Sequence, residues 1–163
     1  MISDTLTTLA TLVGAKLKAK GLMLASAESC TGGWVAQAIT AISGSSDWFD
    51  RGFVTYSNEA KEEMLGVAPE TIATQGAVSE QTAREMSMGA LVHSRAQIAV
   101  AITGIAGPTG GSPDKPIGMV CFSWATKDGD AIAETRHFDG ERESVRRQSV
   151  IVALQGVLRL LEG

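Results

Sequence analysis

A serine lies where the sequence predicts that a buried strand passes into a helix. Residues 22–26 form a short apolar run suited to a buried strand, and the segment 27–33 (AESCTGG) follows it. Because the first amides of a helix favour negative charge, Ser29 could attack a carbonyl carbon while neighbouring amides hold the oxyanion. The alternative is that Ser29 or Thr31 is an ordinary N-cap. Cys30 is a rival nucleophile, but no histidine lies near it in the sequence to activate its thiol.

A lysine and the only tyrosine of the chain accompany the next predicted strand, residues 51–57. Tyr56 lies at the end of that strand, and Lys61 lies about one turn into the helix for which Asn58 is the predicted N-cap. A lysine acts as a general base only if its pKa falls from about 10.4 towards neutrality, which burial and nearby positive potential can achieve. The alternative is that Lys61 is a solvated charge on the helix surface.

A long loop and a pair of arginines complete the set of candidate residues. Residues 104–118 contain three of the four prolines, and a loop of this length is uncommon in a compact domain unless it is functional or mobile. The alternative is a surface crossover. Arg142 and Arg146 lie four residues apart near the start of the last predicted helix, so they share a face and could clamp a phosphate. Their pairing with Glu141 and Glu143 is the alternative.

The composition excludes several classes of protein. The 163 residues suit one domain, residues 1–163, and the net charge of −4 argues against nucleic-acid binding. No apolar run approaches the ~20 residues that cross a bilayer, and residues 1–5 lack the features of a secretion signal. Two cysteines and two histidines are too few and too scattered for a disulfide framework or a metal site. We therefore expect a cytoplasmic protein that binds neither nucleic acid nor membrane.

Five strands and five or six helices are predicted to position these residues. Helical crossovers between the early strands make them parallel, and a hairpin at residues 127–130 makes one late strand antiparallel. The predicted fold is a three-layer α/β/α sandwich with a mixed, mostly parallel five-stranded sheet. Ligands bind outside the carboxyl ends of parallel strands in such sheets, so the candidate segments should meet there. The predicted strands are residues 22–26, 51–57, 98–103, 119–126 and 131–138.

Four sequence blocks together resemble the CinA-type C-terminal domain family. They are AESCTGG at residues 27–33, YSN at residues 56–58 with Lys61, GAVS at residues 76–79, and TGIAGP at residues 103–108 with Gly110 and Gly111. The blocks span nearly the whole chain, in order and with compatible spacing. Two-domain members of the family carry an additional N-terminal domain, so the chain resembles the stand-alone form.

The resemblance implies an amidohydrolase that acts on a linear carboxamide. The expected reaction is hydrolysis of the carboxamide of nicotinamide mononucleotide to nicotinic acid mononucleotide and ammonia, which salvages pyridine nucleotide. The family fold agrees with the predicted three-layer sandwich, and the resemblance implies no metal and no organic cofactor. The implied partner is a small nucleotide substrate, and the sequence leaves open whether the chain forms a homo-oligomer.

The resemblance also suggests a role for each candidate residue. Ser29 is expected to attack the amide carbon, Lys61 to take its proton, and Tyr56 to relay that proton or orient the pair. The sequence leaves open whether Thr31 attacks instead of Ser29. Backbone amides around Cys30, Thr31, Gly32 and Gly33 are expected to stabilise the oxyanion. Thr103, Gly104 and the loop that follows them are expected to shape the nucleotide site, with Arg142 or Arg146 at the phosphate. Glu28 is expected to hold either Lys61 or a ribose hydroxyl.

Two other functions stay open on the sequence. One is a non-enzymatic interaction domain linked to competence or the DNA-damage response, the contexts that the family name reflects. An amidase assay beside a pull-down distinguishes this function from the enzyme. The other is a related amidohydrolase with a different substrate, which a comparison of nicotinamide, its riboside and its mononucleotide distinguishes.

Overall fold

The structure, a computed structural model, describes residues 4–162 and contains five strands and six α-helices within that range. Residues 1–3 and residue 163 of the predicted domain lie outside the described residues. The strands are β1 (Leu24–Glu28), β2 (Phe49–Val54), β3 (Ile98–Gly104), β4 (Met119–Thr126) and β5 (Ile132–His137). The helices are α1 (Thr5–Lys20), α2 (Trp34–Thr40), α3 (Asn58–Leu65), α4 (Pro69–Gln75), α5 (Glu80–Val92) and α6 (Arg142–Glu162), and a short 3₁₀ helix covers Ser45–Asp47.

The strands form one mixed sheet in the order β2-β1-β3-β4-β5. β1 pairs in parallel with β2 and β3, whereas β4 runs antiparallel to both β3 and β5. β4 therefore runs against the other four strands, as the hairpin signal predicts. The predicted mixed, mostly parallel five-stranded sheet is confirmed.

The two faces of the sheet carry side chains of different size. Along β3, Ile98, Val100 and Ile102 face the core beneath α1, α2 and α6. The residues between them, Ala99 and Ala101, face the core beneath α3 and α5. This alternation follows from the two-residue period of a strand and buries both faces under helices, so the three-layer sandwich is confirmed.

The predicted first strand begins and ends two residues too early, and the predicted second strand begins two residues and ends three residues too late. β1 begins at Leu24 rather than residue 22, because the Leu22 amide donates to Leu17 O (3.0 Å) in the turn that ends α1 at Gly21. β2 ends at Val54 rather than residue 57. The cause is that Ser57 is the N-cap of α3 and accepts a hydrogen bond from the Ala60 amide (3.0 Å).

The N-cap of α3 is therefore Ser57, and the prediction of Asn58 was wrong. Ser57 has the extended backbone of a cap residue, whereas Asn58 is already the first residue of the helix. Ser79, the predicted cap of the longer helix, does cap α5 and accepts from the Thr82 amide (3.0 Å). No helix within residues 4–162 is long and apolar enough to cross a membrane.

Candidate active site

The predicted segments meet at the carboxyl ends of β1 and β3, neighbouring parallel strands. The loops that follow these strands, together with the start of α3 and the start of α6, surround a cavity of about 340 Å³. The lining residues come from five separate parts of the chain: Ser29, Cys30, Tyr56, Asn58, Lys61, Ala77, Val78, Thr103, Gly104, Ile105, Ala106, Gly107, Thr109, Gly110 and Arg142.

The Ser29 hydroxyl and the Lys61 amine are in direct contact in this cavity. Lys61 Nζ lies 3.1 Å from Ser29 Oγ. The Ser29 amide donates to Ile102 O (3.0 Å), which extends the pairing of β1 with β3 and fixes the backbone of the serine. A hydroxyl and an amine at hydrogen-bond distance have the geometry that general-base activation of a nucleophile requires.

Lys61 is buried, with 1% of its surface exposed, and its amine meets backbone carbonyls instead of a carboxylate. Nζ donates to Thr55 O (2.9 Å) and Tyr56 O (3.2 Å), and a third carbonyl, Ser57 O, lies further away at 3.5 Å. Burial lowers the pKa of Lys61 below its ordinary value, and nearby Cys30 and Glu59 oppose the change. A neutral amine has two N–H groups, which suffice for the two nearer carbonyls, so its lone pair can face the serine proton.

The thiol of Cys30 lies beside the serine but is not activated. Burial raises the pKa of Cys30 to about 12, although the positive charge of Arg146 acts in the opposite direction. A thiol with this pKa is protonated at neutral pH and is a poor nucleophile.

Glu28 does not contact Lys61 and is not in the cavity lining, in contrast to the prediction. Its carboxylate is buried, with 1% exposed, and it accepts hydrogen bonds from the Thr31 hydroxyl (2.6 Å) and from three amides at the start of α2. The distances to those amides are 3.2 Å for Gly33, 2.9 Å for Val35 and 3.1 Å for Ala36. The carboxylate thus replaces a side-chain N-cap and satisfies the free amides of the helix.

The turn between β1 and α2 leaves two amides for an oxyanion. The Gly32 amide donates to Ser29 O (3.1 Å), the Gly33 amide to Glu28, and the Trp34 amide to Thr31 O (3.0 Å). Within residues 4–162 no hydrogen bond to another residue uses the amides of Cys30 or Thr31, although the Cys30 amide also interacts with the thiol of its own residue. Of the four predicted oxyanion amides, those of Gly32 and Gly33 are already occupied, and those of Cys30 and Thr31 stay a prediction.

Tyr56 and Arg142 meet at the rim of the cavity. The Tyr56 side chain is 63% exposed, and its hydroxyl accepts a hydrogen bond from Arg142 Nη2 (3.3 Å). Arg142 Nη1 donates to Gly107 O (2.9 Å) in the long loop. The backbone carbonyl of Tyr56 contacts Lys61, whereas its hydroxyl is bound to the arginine.

Arg146 lies one turn further along α6 and is directed at the turn that carries the serine. It is not in the cavity lining, and its guanidinium donates to the carbonyls of Cys30 and Thr31. The two predicted phosphate ligands therefore differ in position, because only Arg142 borders the cavity.

Thr103 and Gly104 form the opposite wall. The Thr103 hydroxyl donates to Ala77 O (2.7 Å), which attaches residues 76–78 to the end of β3. At Gly104 an added Cβ would lie 2.8 Å from Val120 Cγ2 and 3.0 Å from Met119 O, so a side chain has no room there. The long loop is held to the end of α4 by a hydrogen bond from Lys115 Nζ to Gln75 O.

Residues 6–161 match the CinA C-terminal domain family. The chain belongs to this family. It is 56% identical over 155 residues to the nicotinamide-nucleotide amidohydrolase PncC of Escherichia coli strain K12, covering 95% of this chain and 94% of that protein. It is 50% identical over 158 residues to the protein of the same name from Pseudomonas putida, covering 96% of this chain and 98% of that protein. The family resemblance drawn from the four sequence blocks is confirmed.

Solved structures of the family have the same fold. The structure of competence/damage inducible protein CihA from Agrobacterium tumefaciens is similar with a TM-score of 0.94 and 46% identity. The similarity covers 100% of this chain and 99% of that chain.

In this CinA domain, three lining residues were missed by the sequence analysis: Asn58, Ala77 and Val78. Asn58 was assigned to the cap, but its spacing of three residues from Lys61 on one helix was a usable signal, since such residues share a face. Ala77 and Val78 offer no chemical signal, because only their backbone position brings them to the cavity.

Within residues 4–162, no group of three His, Cys, Asp or Glu side chains is arranged to hold a metal ion.

Proposed function

We propose that this chain is an amidohydrolase that converts nicotinamide mononucleotide to nicotinic acid mononucleotide and ammonia. Relatives that are 50–56% identical over most of the chain carry the name nicotinamide-nucleotide amidohydrolase. The observation that carries the mechanism is the 3.1 Å contact between Lys61 Nζ and Ser29 Oγ in an open cavity. This pair is suited to acyl transfer from an amide.

In the proposed first step, neutral Lys61 takes the proton of Ser29 while Oγ attacks the carboxamide carbon. The carbonyl oxygen becomes an oxyanion, which the amides of Cys30 and Thr31 are placed to stabilise. Collapse of the tetrahedral intermediate breaks the C–N bond, and the Lys61 ammonium returns its proton to the departing nitrogen, which leaves as ammonia. Water then hydrolyses the acyl-enzyme with Lys61 again as the base, which restores the serine.

The geometry favours Ser29 over Thr31 as the attacking group. The Thr31 hydroxyl is buried and donates to Glu28 (2.6 Å), and Thr31 is not in the cavity lining. Its proton is already donated to that carboxylate, and within residues 4–162 no lysine amine is hydrogen-bonded to it. Thr31 therefore supports the turn instead of reacting.

Tyr56 and Arg142 are placed to bind the nucleotide. The Tyr56 hydroxyl contacts Arg142 and not Lys61, so a proton relay through Tyr56 has no geometric support. The Arg142 guanidinium borders the cavity and bridges Tyr56 to the long loop, where it can receive a phosphate. Thr103 and Gly104 shape the wall against which the nucleotide lies.

The decisive experiment is Ser29→Ala. We expect ammonia release from the mononucleotide to fall by several orders of magnitude with the fold retained, as for removal of a nucleophile. Mass spectrometry of wild-type protein quenched during turnover should find an acyl adduct on the peptide that contains Ser29. Ser46→Ala, a change at an exposed serine outside the cavity lining, is the matched control and should leave turnover unchanged.

Turnover at the wild-type rate in Ser29→Ala would remove the covalent mechanism. Assays with nicotinamide and its riboside test the substrate in the same experiment. Equal activity on all three compounds would show that the phosphate is not recognised.

A further inference from the structure

Arg146 makes three contacts that all involve the turn after β1 or the start of α2. Its Nε donates to Cys30 O (3.0 Å) and its Nη2 donates to Thr31 O (3.2 Å). Its guanidinium also lies over the ring of Trp34, with 5.5 Å from Cζ to the ring centroid. The side chain thus connects α6 to the two residues that directly follow the serine.

These hydrogen bonds determine the orientation of a peptide group that the proposed reaction uses. A peptide bond is planar and trans, so the C=O of one residue and the N–H of the next point in opposite directions. With the Cys30 carbonyl bound to Arg146, the Thr31 N–H must point away from the arginine. The Cys30 N–H is set in the same way, because Ser29 O accepts from the Gly32 amide (3.1 Å).

From these contacts we propose that Arg146 is a positioning residue for the amidase reaction and not a phosphate ligand. It holds the turn of residues 29–32 so that Ser29 stays against Lys61 and the amides of Cys30 and Thr31 keep their orientation. This inference rests on the proposed function and adds to it a residue outside the cavity. Arg142, one turn earlier and in the cavity lining, is the arginine that can meet the phosphate.

An arginine suits this position better than a lysine does. The planar guanidinium reaches two successive carbonyls from separate nitrogen atoms while its flat face stacks on an aromatic ring. A lysine has a single nitrogen on a flexible stem, so it cannot reproduce both carbonyl contacts and the stacking together. We therefore expect that a positive charge alone does not hold the turn in place.

The test compares Arg146→Met and Arg146→Lys with wild-type protein in steady-state kinetics on nicotinamide mononucleotide and on its phosphate-free riboside. We expect kcat of Arg146→Met to fall on the order of 10²-fold, the usual effect of a displaced reacting group or oxyanion donor. KM for the mononucleotide should stay close to the wild-type value. The loss of kcat should be equal on both substrates, and Arg146→Lys should recover only part of it.

Arg147→Met is the matched control, because Arg147 is the next residue of α6 and pairs with exposed Asp4. It should keep wild-type kinetics. If Arg146→Met does not fold, as judged by circular dichroism, Arg146→Lys and Trp34→Leu provide the test, since each removes only part of the contact. For these two variants we expect a smaller loss of kcat than for Arg146→Met, again without a change in KM.

Two results would overturn the proposal. A rise in KM for the mononucleotide alone, with kcat and riboside kinetics intact, would make Arg146 a phosphate ligand. Wild-type kinetics in both Arg146 variants would remove any role in positioning.

The proposed function is tested separately by the wild-type protein. If wild type releases no ammonia from the mononucleotide, the proposed function is wrong. In that case p-nitrophenyl acetate serves as the probe, because acetylation of Ser29 needs the same amides and no phosphate. Slower acetylation in Arg146→Met, followed by mass spectrometry, supports the positioning role. An unchanged rate contradicts it.

Discussion

At the scale of single residues, the site depends on a buried lysine, at a position where a positive charge costs free energy. Lys61 has 1% of its surface exposed, and its hydrogen-bond partners are carbonyls and a hydroxyl instead of a carboxylate. Burial disfavours the ammonium form, and nearby Cys30 and Glu59 oppose this only in part. The pKa of Lys61 is therefore lowered, which favours the neutral form that the proposed general base needs.

This leads to a prediction about the pH dependence of activity. The rate should rise with pH as Lys61 loses its proton, with an inflection below the ordinary lysine pKa of about 10.4, because burial lowers the pKa of Lys61. Lys61→Met should lower kcat by roughly 10²–10⁴-fold and abolish that inflection. A pH–rate profile of wild-type and variant protein checks both. The same inflection in Lys61→Met would exclude this lysine as the base.

The same titration has a consequence for stability. Because the folded pKa of Lys61 is lowered, the unfolded chain binds a proton that the folded chain lacks once the pH drops below about 10.4. The free energy of unfolding of wild type should therefore fall as the pH decreases towards the pKa of Lys61 in the folded state. Below that pKa, protonation of Lys61 should change the stability no further. Lys61→Met lacks this effect. As the pH is lowered through that range, the Tm of Lys61→Met should therefore rise relative to the Tm of wild type. A Tm difference between the two proteins that does not depend on pH would contradict the lowered pKa of Lys61.

At the scale of elements, small residues allow α5 to lie close to the sheet and to α3. α5 packs over Ala99 and Ala101, and its Gly89 touches the end of α3. A Cβ added at Gly89 would lie 1.9 Å from Leu65 O and 2.8 Å from Leu65 C. The obstacle is backbone, so α3 or α5 must move if a side chain is introduced.

We therefore expect Gly89→Ala to destabilise the fold by about 1–3 kcal/mol through overpacking, despite the better helix propensity of alanine. Chemical denaturation measures the change. Met88→Ala, at an exposed neighbour on the same helix, is the control and should stay within about 0.5 kcal/mol of wild type. Because α3 carries Lys61, Gly89→Ala should also reduce turnover. An equal or higher stability of Gly89→Ala would show that the two helices can separate without cost.

At the scale of the whole molecule, the site draws on residues from Ser29 to Arg142, which lie on loops and helices around one end of the sheet. A ligand that contacts all of these parts binds the folded chain and not the unfolded one. Binding must then stabilise the entire fold by mass action.

We expect nicotinamide mononucleotide at about 100 times its Kd to stabilise Ser29→Ala by about 2.7 kcal/mol, or roughly 5–10 °C in Tm for a chain of this size. This variant is chosen because it should bind the substrate without consuming it. Adding Arg142→Met to it should reduce the shift, whereas adding Arg147→Met should not. Differential scanning fluorimetry measures all three proteins. Equal shifts in the presence and absence of Arg142 would remove this arginine from the phosphate site.

Much of this protein can be predicted from its sequence. The α/β class, the five strands and the single antiparallel strand follow from apolar periodicity and one hairpin signal, because these patterns are local. The family follows from four short blocks and is confirmed by the match over residues 6–161. The cap of α3 was predicted one residue too late, at Asn58 instead of Ser57, because both residue types favour the N-cap and the backbone angles that decide between them are not local sequence signals.

The kind of residue at each strand end was predictable, since residue types and strand periodicity can be read without knowing which parts of the chain are in contact. The tertiary structure alone decided the partners. It brought Lys61 to Ser29 across 32 residues of chain, assigned Glu28 to the start of α2, and directed Arg142 and Arg146, one turn apart, to different targets. The reason is physical: a side chain's partners depend on which loops the sheet order brings together, and that order results from packing over the whole chain.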